Sequence, residues 1–194
     1  MERPLFVVSW ASRSSAAFGL ASLQTMIGIG ENLKQFWRCQ GIRFLPGARE
    51  EELTIFETKY EVLLPKDLRE YLAAVNGFEG TDYWVSDNNL ITFLTLSEIK
   101  PLSEYWSPKV EEAPAYFVFA DYSISAHLYA ILLRSTRLNK NPVVVVYDDK
   151  LVEIAPSFSE FVKSYLAQIE EVLFPPLPAE RLERTRYDDV SDVR

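Results

Sequence analysis

An α+β fold, with N-terminal helices, a central mostly antiparallel sheet and a C-terminal helix, follows from three observations. Apolar residues between Glu50 and Val75 recur at helical spacing. From about residue 83 the pattern changes to short β-branched and aromatic runs, and after Ser157 helical spacing returns. Helices first and strands afterwards point to an α+β arrangement, because a parallel doubly wound sheet would alternate the two along the chain.

The first predicted helix spans Glu50 to Val62. Leu53, Phe56 and Tyr60 stand at i, i+3 and i+7, and Glu50, Glu51 and Glu52 occupy the first turn, where the helix dipole favours anions. Pro65 opens a second helix at a first-turn position. Its stripe of Leu68, Tyr71, Leu72 and Val75 is expected to stop at Asn76-Gly77, residue types that tolerate the left-handed conformation of a helix end. Strands are predicted at Leu90–Leu96, Tyr116–Ala120, Ala126–Leu133, Val143–Tyr147 and Leu151–Ala155, the last two joined by an Asp148-Asp149-Lys150 turn. Ser157 with Glu160 forms a capping box for a final helix carrying Phe158, Phe161, Val162, Tyr165, Leu166, Ile169, Val172 and Leu173 on its buried face. Residues 1–44 read as an N-terminal extension and lead-in, with 1–25 expected to be dispensable and Met26 an alternative start. Residues 45–173 form one domain, and 174–194 a Pro-rich charged tail.

Composition excludes several classes. The 194 residues are 48% hydrophobic and 25% charged, too apolar for a disordered chain, and no stretch approaches the roughly 18 apolar residues of a membrane span. The net charge of -8 repels a phosphate backbone, and no basic patch reverses it, so neither nucleic acid nor membrane is an expected partner. Cys39 is the only cysteine, which excludes an intrachain disulfide and fits a reducing cytoplasm. The acidity is concentrated between residues 79 and 121, where eight acids face two bases for a net charge of -6.

The stretch LTIFETKYEVLLPKDLREYLAAVNGF (53–78) resembles the opening of the SMI1/KNR4, or SUKH, superfamily. Glu57, Leu64, Pro65, Leu72, Asn76 and Gly77 stand at its motif positions, with Phe78 where many members have a second glycine. FADYSISAHLYAILL (119–133) and VEIAPSFSEFVKSYL (152–166) resemble the central and closing blocks of a bacterial branch. The resemblance implies a SUKH-like interaction domain and not an enzyme. Many bacterial members are thought to be immunity proteins that neutralise toxins, and fungal members regulate cell-wall synthesis and signalling. A regulatory scaffold of the same fold, or an enzyme using carboxylates in an unrecognised pattern, remain as alternatives.

The chemistry-bearing residues point the same way, to no catalytic residue, no metal and no cofactor. His127 is the only histidine and sits on a strand facing the same way as Tyr129 and Ile131, which favours a packed structural role. With no second base and no G-x-S-x-G elbow, a Ser-His-Asp site has no support. One His and one Cys cannot make a zinc site of the usual type, and no D-x-D-x-D-G calcium loop appears. Gly28-Ile-Gly30 lacks the third glycine of a dinucleotide fingerprint, since Leu33 stands there. The Pro175–Pro178 run reads as a helix terminator, with a polyproline ligand as the alternative. What remains is a docking surface for a basic protein, expected to be a toxin domain. Asp82, Asp87, Glu104 and Asp121 are its expected charges, and Trp84, Trp106 and Tyr122 its aromatic contacts.

Overall fold

The computed structural model describes residues 28–80, 85–105, 113–147 and 150–175. Within them α1 (Ile29–Cys39) leads into β1 (Phe44–Pro46), α2 (Glu50–Tyr60), α3 (Lys66–Ala74) and β2 (Val75–Phe78). Then follow β3 (Ile91–Phe93), β4 (Lys100–Pro101), β5 (Tyr116–Tyr122), β6 (His127–Leu132), β7 (Val143–Tyr147), β8 (Lys150–Ala155), α4 (Phe158–Leu166) and α5 (Glu170–Leu173). β1 and β2 form an antiparallel pair. The main sheet runs β3-β5-β6-β7-β8, every pair antiparallel, with β4 continuing along the β3 edge of β5. The α+β architecture expected from the sequence is therefore present, with helices at both ends and the sheet between them.

The sheet is buried on both faces, and the pleat sorts its residues accordingly. One face presents Phe117, Phe119, Tyr129, Ile131, Val143 and Val145 to the helices, where Trp37, Leu53, Phe56, Leu68, Tyr71, Leu72, Phe158, Phe161 and Tyr165 complete the main core. The other face carries Val118, Leu128, Ala130, Val144 and Val146, which pack with Leu102 and Ala113 from two short 3-10 turns. Burial on both faces explains why β7 reads as an unbroken Val-Val-Val-Val-Tyr run.

Three local outcomes differ from the sequence reading. Helix α1 falls in the segment expected to be a lead-in, where no helix is predicted, yet Gly30, Leu33 and Trp37 are buried at i, i+3 and i+7. The Trp37 ring meets Phe78 edge-on at 4.8 Å, and its Nε1 donates to the Tyr165 hydroxyl at 2.9 Å. The second predicted helix ends at Ala74, and Asn76-Gly77 lie inside β2 instead of capping it. The C-terminal helix breaks after Leu166, because Gln168 takes a left-handed conformation at φ 53°. Gln168 N–H then donates to Tyr165 O and Ile169 N–H to Ser164 O, the double hydrogen bond of a Schellman end. The predicted cap at its start is present: Ser157 Oγ accepts from Glu160 N–H. The Asp148-Asp149 turn, residues 1–25 with Met26, and the Pro-rich tail beyond Pro175 lie outside the described residues.

The motif residues of the 53–78 block have structural jobs. The Glu57 carboxylate accepts from Leu64 N–H at 2.8 Å and pairs with Arg69 at 2.8 Å, which closes the corner between α2 and α3. The Asn76 Oδ1 accepts from Leu96 N–H at 2.6 Å. Gly77, at φ +69°, lies so close to the exit of β3 that a Cβ there would meet Leu94 C and O at 2.5 Å. Phe78, in place of a second glycine, is a core residue 1% exposed.

Candidate functional site

A cleft of about 390 Å³ opens on the face of the sheet opposite the helices, beside β3 and β5. Its floor is a cross-strand pair, Thr92 opposite Asp121. One wall is the segment from Leu94 to Tyr105, and the other is formed by Gly80 and the β5–β6 turn at Ser125.

Each wall is held by local hydrogen bonds that the sequence dictates. In the first, the Glu98 carboxylate accepts from Thr95 N–H and from Thr95 Oγ1, both at 2.8 Å, so the Thr95–Glu98 turn is closed by its own acidic side chain. Tyr105 donates its hydroxyl to Glu98 O at 3.0 Å, and Lys100 Nζ lies 4.5 Å from the centre of the Tyr105 ring. In the second, Asp121 accepts from Ser125 N–H and Ser125 Oγ, each at 2.7 Å. This carboxylate braces a turn in which Ser123, Ile124 and Ser125 all hold positive φ, at 48°, 58° and 61°.

Of the seven predicted contact residues, Asp82, Trp84 and Trp106 lie outside the described residues. Glu104 is exposed on the 3-10 turn after β4, and Asp121 lies half-buried on the cleft floor. Tyr122, one residue on, points to the opposite face and stacks on the His127 ring at 4.3 Å, with Phe174 at 5.0 Å. It belongs to the margin of the main core. Asp87 requires a correction, because it is only 3% exposed and cannot serve as a surface charge. Its carboxylate accepts from Asn89 N–H, Ile91 N–H and the Tyr165 hydroxyl, a network that ties the entry to β3 to α4 and, through Trp37, to α1. Burial pushes its pKa up, and the hydrogen bonds it receives oppose that shift. The sequence reading singled out neither Glu98 nor Lys100 as a site residue; the fold brings them beside Asp121 through the irregular chain between β3 and β4.

The only histidine lies apart from the cleft. His127 faces Tyr122, Tyr129, Tyr147 and Phe174 on the helix side of the sheet, with Nε2 buried and unpartnered. Burial lowers its pKa, and Asp121 counteracts that in part. Among the described residues, no three His, Cys, Asp or Glu side chains gather to hold a metal ion, and no helix is long and apolar enough to cross a membrane. The cleft presents two carboxylates, one ring-bound ammonium and backbone turns, a lining of mixed polarity with an acidic surplus.

The family model described as SMI1 / KNR4 family (SUKH-1) matches residues 47–164, more than half of the chain. The match runs from Gly47, just after β1, to within α4, so it takes in both motif corners and the whole main sheet. No curated protein matches the chain.

Proposed function

We propose that this chain, which belongs to the SMI1/KNR4 (SUKH-1) family, is a non-enzymatic protein-binding domain that acts as an immunity protein. It would neutralise a basic toxin domain by direct binding in the cytoplasm. The observation that carries this reading is the concentration of acidic residues on one stretch of chain, from 79 to 121, of which Glu98 and Asp121 line the cleft. A field of one sign steers an oppositely charged partner toward that surface and raises the association rate, and buried contacts then set the dissociation rate.

The test is co-expression of the chain with the product of a toxin gene that adjoins its own in the genome. Survival that depends on the chain, together with co-elution of the two purified proteins in one complex, is the expected result. A toxin that kills equally well in its presence overturns the immunity reading. A chain that protects without forming a complex overturns direct binding.

A further inference from the structure

Five large apolar side chains are exposed among the described residues: Ile55, Leu63, Leu90, Ile124 and Ile169. Two of them, Leu90 and Ile124, also hold positive φ, at 61° and 58°. Neither fact favours folding. A bulky residue such as leucine, and a β-branched one such as isoleucine still more, is a steric outlier in the left-handed region, because its Cβ crowds the following carbonyl, and glycine or asparagine would occupy the same turn at less cost. Burial would compensate, but Leu90 is 49% exposed and Ile124 56%.

The two residues belong to abutting turns. Ile91 pairs with Tyr122 across the ladder, and Ser123 N–H donates to Leu90 O at 2.9 Å, so the turn before β3 and the turn after β5 close the same end of the sheet together. Each is braced by a carboxylate: Asp87 receives Asn89 N–H and Ile91 N–H, and Asp121 receives Ser125 N–H and Oγ. Asp121, three residues before Ile124, and Ser125, directly after it, also line the cleft. Apolar side chains held out in a costly conformation, and serving no core, therefore stand on turns next to a cleft whose charged lining is Glu98 and Asp121 against Lys100.

We infer that Leu90 and Ile124 are the apolar anchors of the docking face, and that the partner segment they receive is basic and apolar together. A Lys or Arg side chain enters the cleft toward Asp121 and Glu98 while neighbouring apolar side chains cover Leu90 and Ile124. This rests on the reading that the chain binds a basic protein, and it adds where the contact is made and with what chemistry. The charge on the cleft selects the occupant: a second copy of this chain, itself at net charge -8, would meet like charge there.

The test uses two synthetic peptides, Lys-Leu-Arg-Leu-Lys and Glu-Leu-Asp-Leu-Glu, both end-blocked, titrated into the full ¹⁵N-labelled chain. The basic peptide should shift amides of residues 90–95 and 121–126, and the acidic one should leave them in place. Ile124→Gly and Leu90→Asn should each weaken the response about tenfold while leaving the thermal midpoint equal to or above that of the parent. Ile55→Ser, on the exposed face of α2, should change nothing in the titration. Shifts elsewhere, no shift, an equal response to the acidic peptide, or full binding by Ile124→Gly would each overturn the inference. Failure here while the chain still protects against the toxin leaves the immunity reading standing and moves its surface. Localised shifts without protection keep the site and remove that function.

Discussion

Replacing Gly77 with alanine separates the two reasons a glycine stands in β2. Its φ of +69° disfavours any Cβ, and the added atom would lie 2.5 Å from Leu94 C and O and 2.7 Å from Thr95 N. All three neighbours are backbone, so no side chain can rotate away and the exit of β3 must move. The left-handed conformation costs roughly 1–2 kcal/mol. Displacing a packed segment costs about 1–3 kcal/mol. That displacement also strains the Asn76 Oδ1 to Leu96 N–H bond, a contact of about 1 kcal/mol. A loss of roughly 3–6 kcal/mol follows, or on the order of 10 °C in the midpoint for a chain of this size. Gly41 supplies the control. It holds φ +73° at the Schellman end of α1, where Gly41 N–H donates to Arg38 O and Ile42 N–H to Trp37 O, and a Cβ there would meet nothing within 4 Å. Gly41→Ala should therefore cost only the conformational part, about 1 kcal/mol. Thermal and urea unfolding followed by far-ultraviolet circular dichroism measures both. Equal losses in the two variants would refute the steric argument and with it the close approach of β2 to Leu94.

Glu57→Ala removes the acceptor for Leu64 N–H and should cost about 1–3 kcal/mol, whereas Glu57→Gln keeps that acceptor and loses only the Arg69 pair, less than about 1 kcal/mol; urea midpoints compare them. Trp37→Phe removes the donor to Tyr165 and part of a fully buried ring, and should lower stability by about 1–3 kcal/mol; no change would mean that α1 is not part of the core. His127 has a pKa depressed below its ordinary 6.5 by burial, so the fold binds its proton less readily than the unfolded chain does. Its contribution is intact above the ordinary value and is lost as pH falls through the depressed one. The gap in midpoint between His127→Phe and the parent should therefore move in favour of the variant between about pH 7.5 and about pH 5, and a constant gap would refute the buried neutral imidazole. Asp121→Asn keeps an oxygen for Ser125 N–H while removing the charge, so it should slow association with a basic partner and flatten its salt dependence at unchanged stability; unchanged association kinetics would place the charged contact elsewhere.

The elements legible in the sequence are those whose signals are local. Leu53, Phe56 and Tyr60 set a helix by spacing, Ser157 and Glu160 set a cap, and the Val143–Tyr147 run sets a central strand, all readable without knowing what they pack against. The same spacing in Gly30, Leu33 and Trp37 was obscured by Gly28 and Gly30, poor helix formers whose pattern instead suggested a broken dinucleotide fingerprint. Helix α1 is fixed by tertiary packing of Trp37 on Phe78, Phe93 and Tyr165, contacts up to 128 residues away. The break at Gln168 was hidden because glutamine is not a residue type associated with left-handed helix ends. Asp87 was misread for a related reason. In an acidic stretch every carboxylate looks solvated, and the partner that draws this one inside, Tyr165, lies 78 residues away in sequence.

These particulars bear on what family membership can say about function. Glu57, Asn76 and Gly77 close corners, and Leu64, Leu72 and Phe78 fill the core; all belong to the helix layer or to its contact with the edge of the sheet. The cleft and the two strained turns lie on the far face and at one end of the main sheet, built from Gly80, Thr92, the 94–105 segment and residues 121–125. A substitution there changes charge or exposed apolar surface while touching little of the main core. The same scaffold can thus hold different surfaces, because the residues that specify the fold and those proposed to meet a partner are largely separate sets. Asp121 belongs to both. Its geometry braces the turn through Ser125, and its charge faces the cleft, so the hydrogen bonds that hold the turn also place a negative charge where a basic side chain would enter.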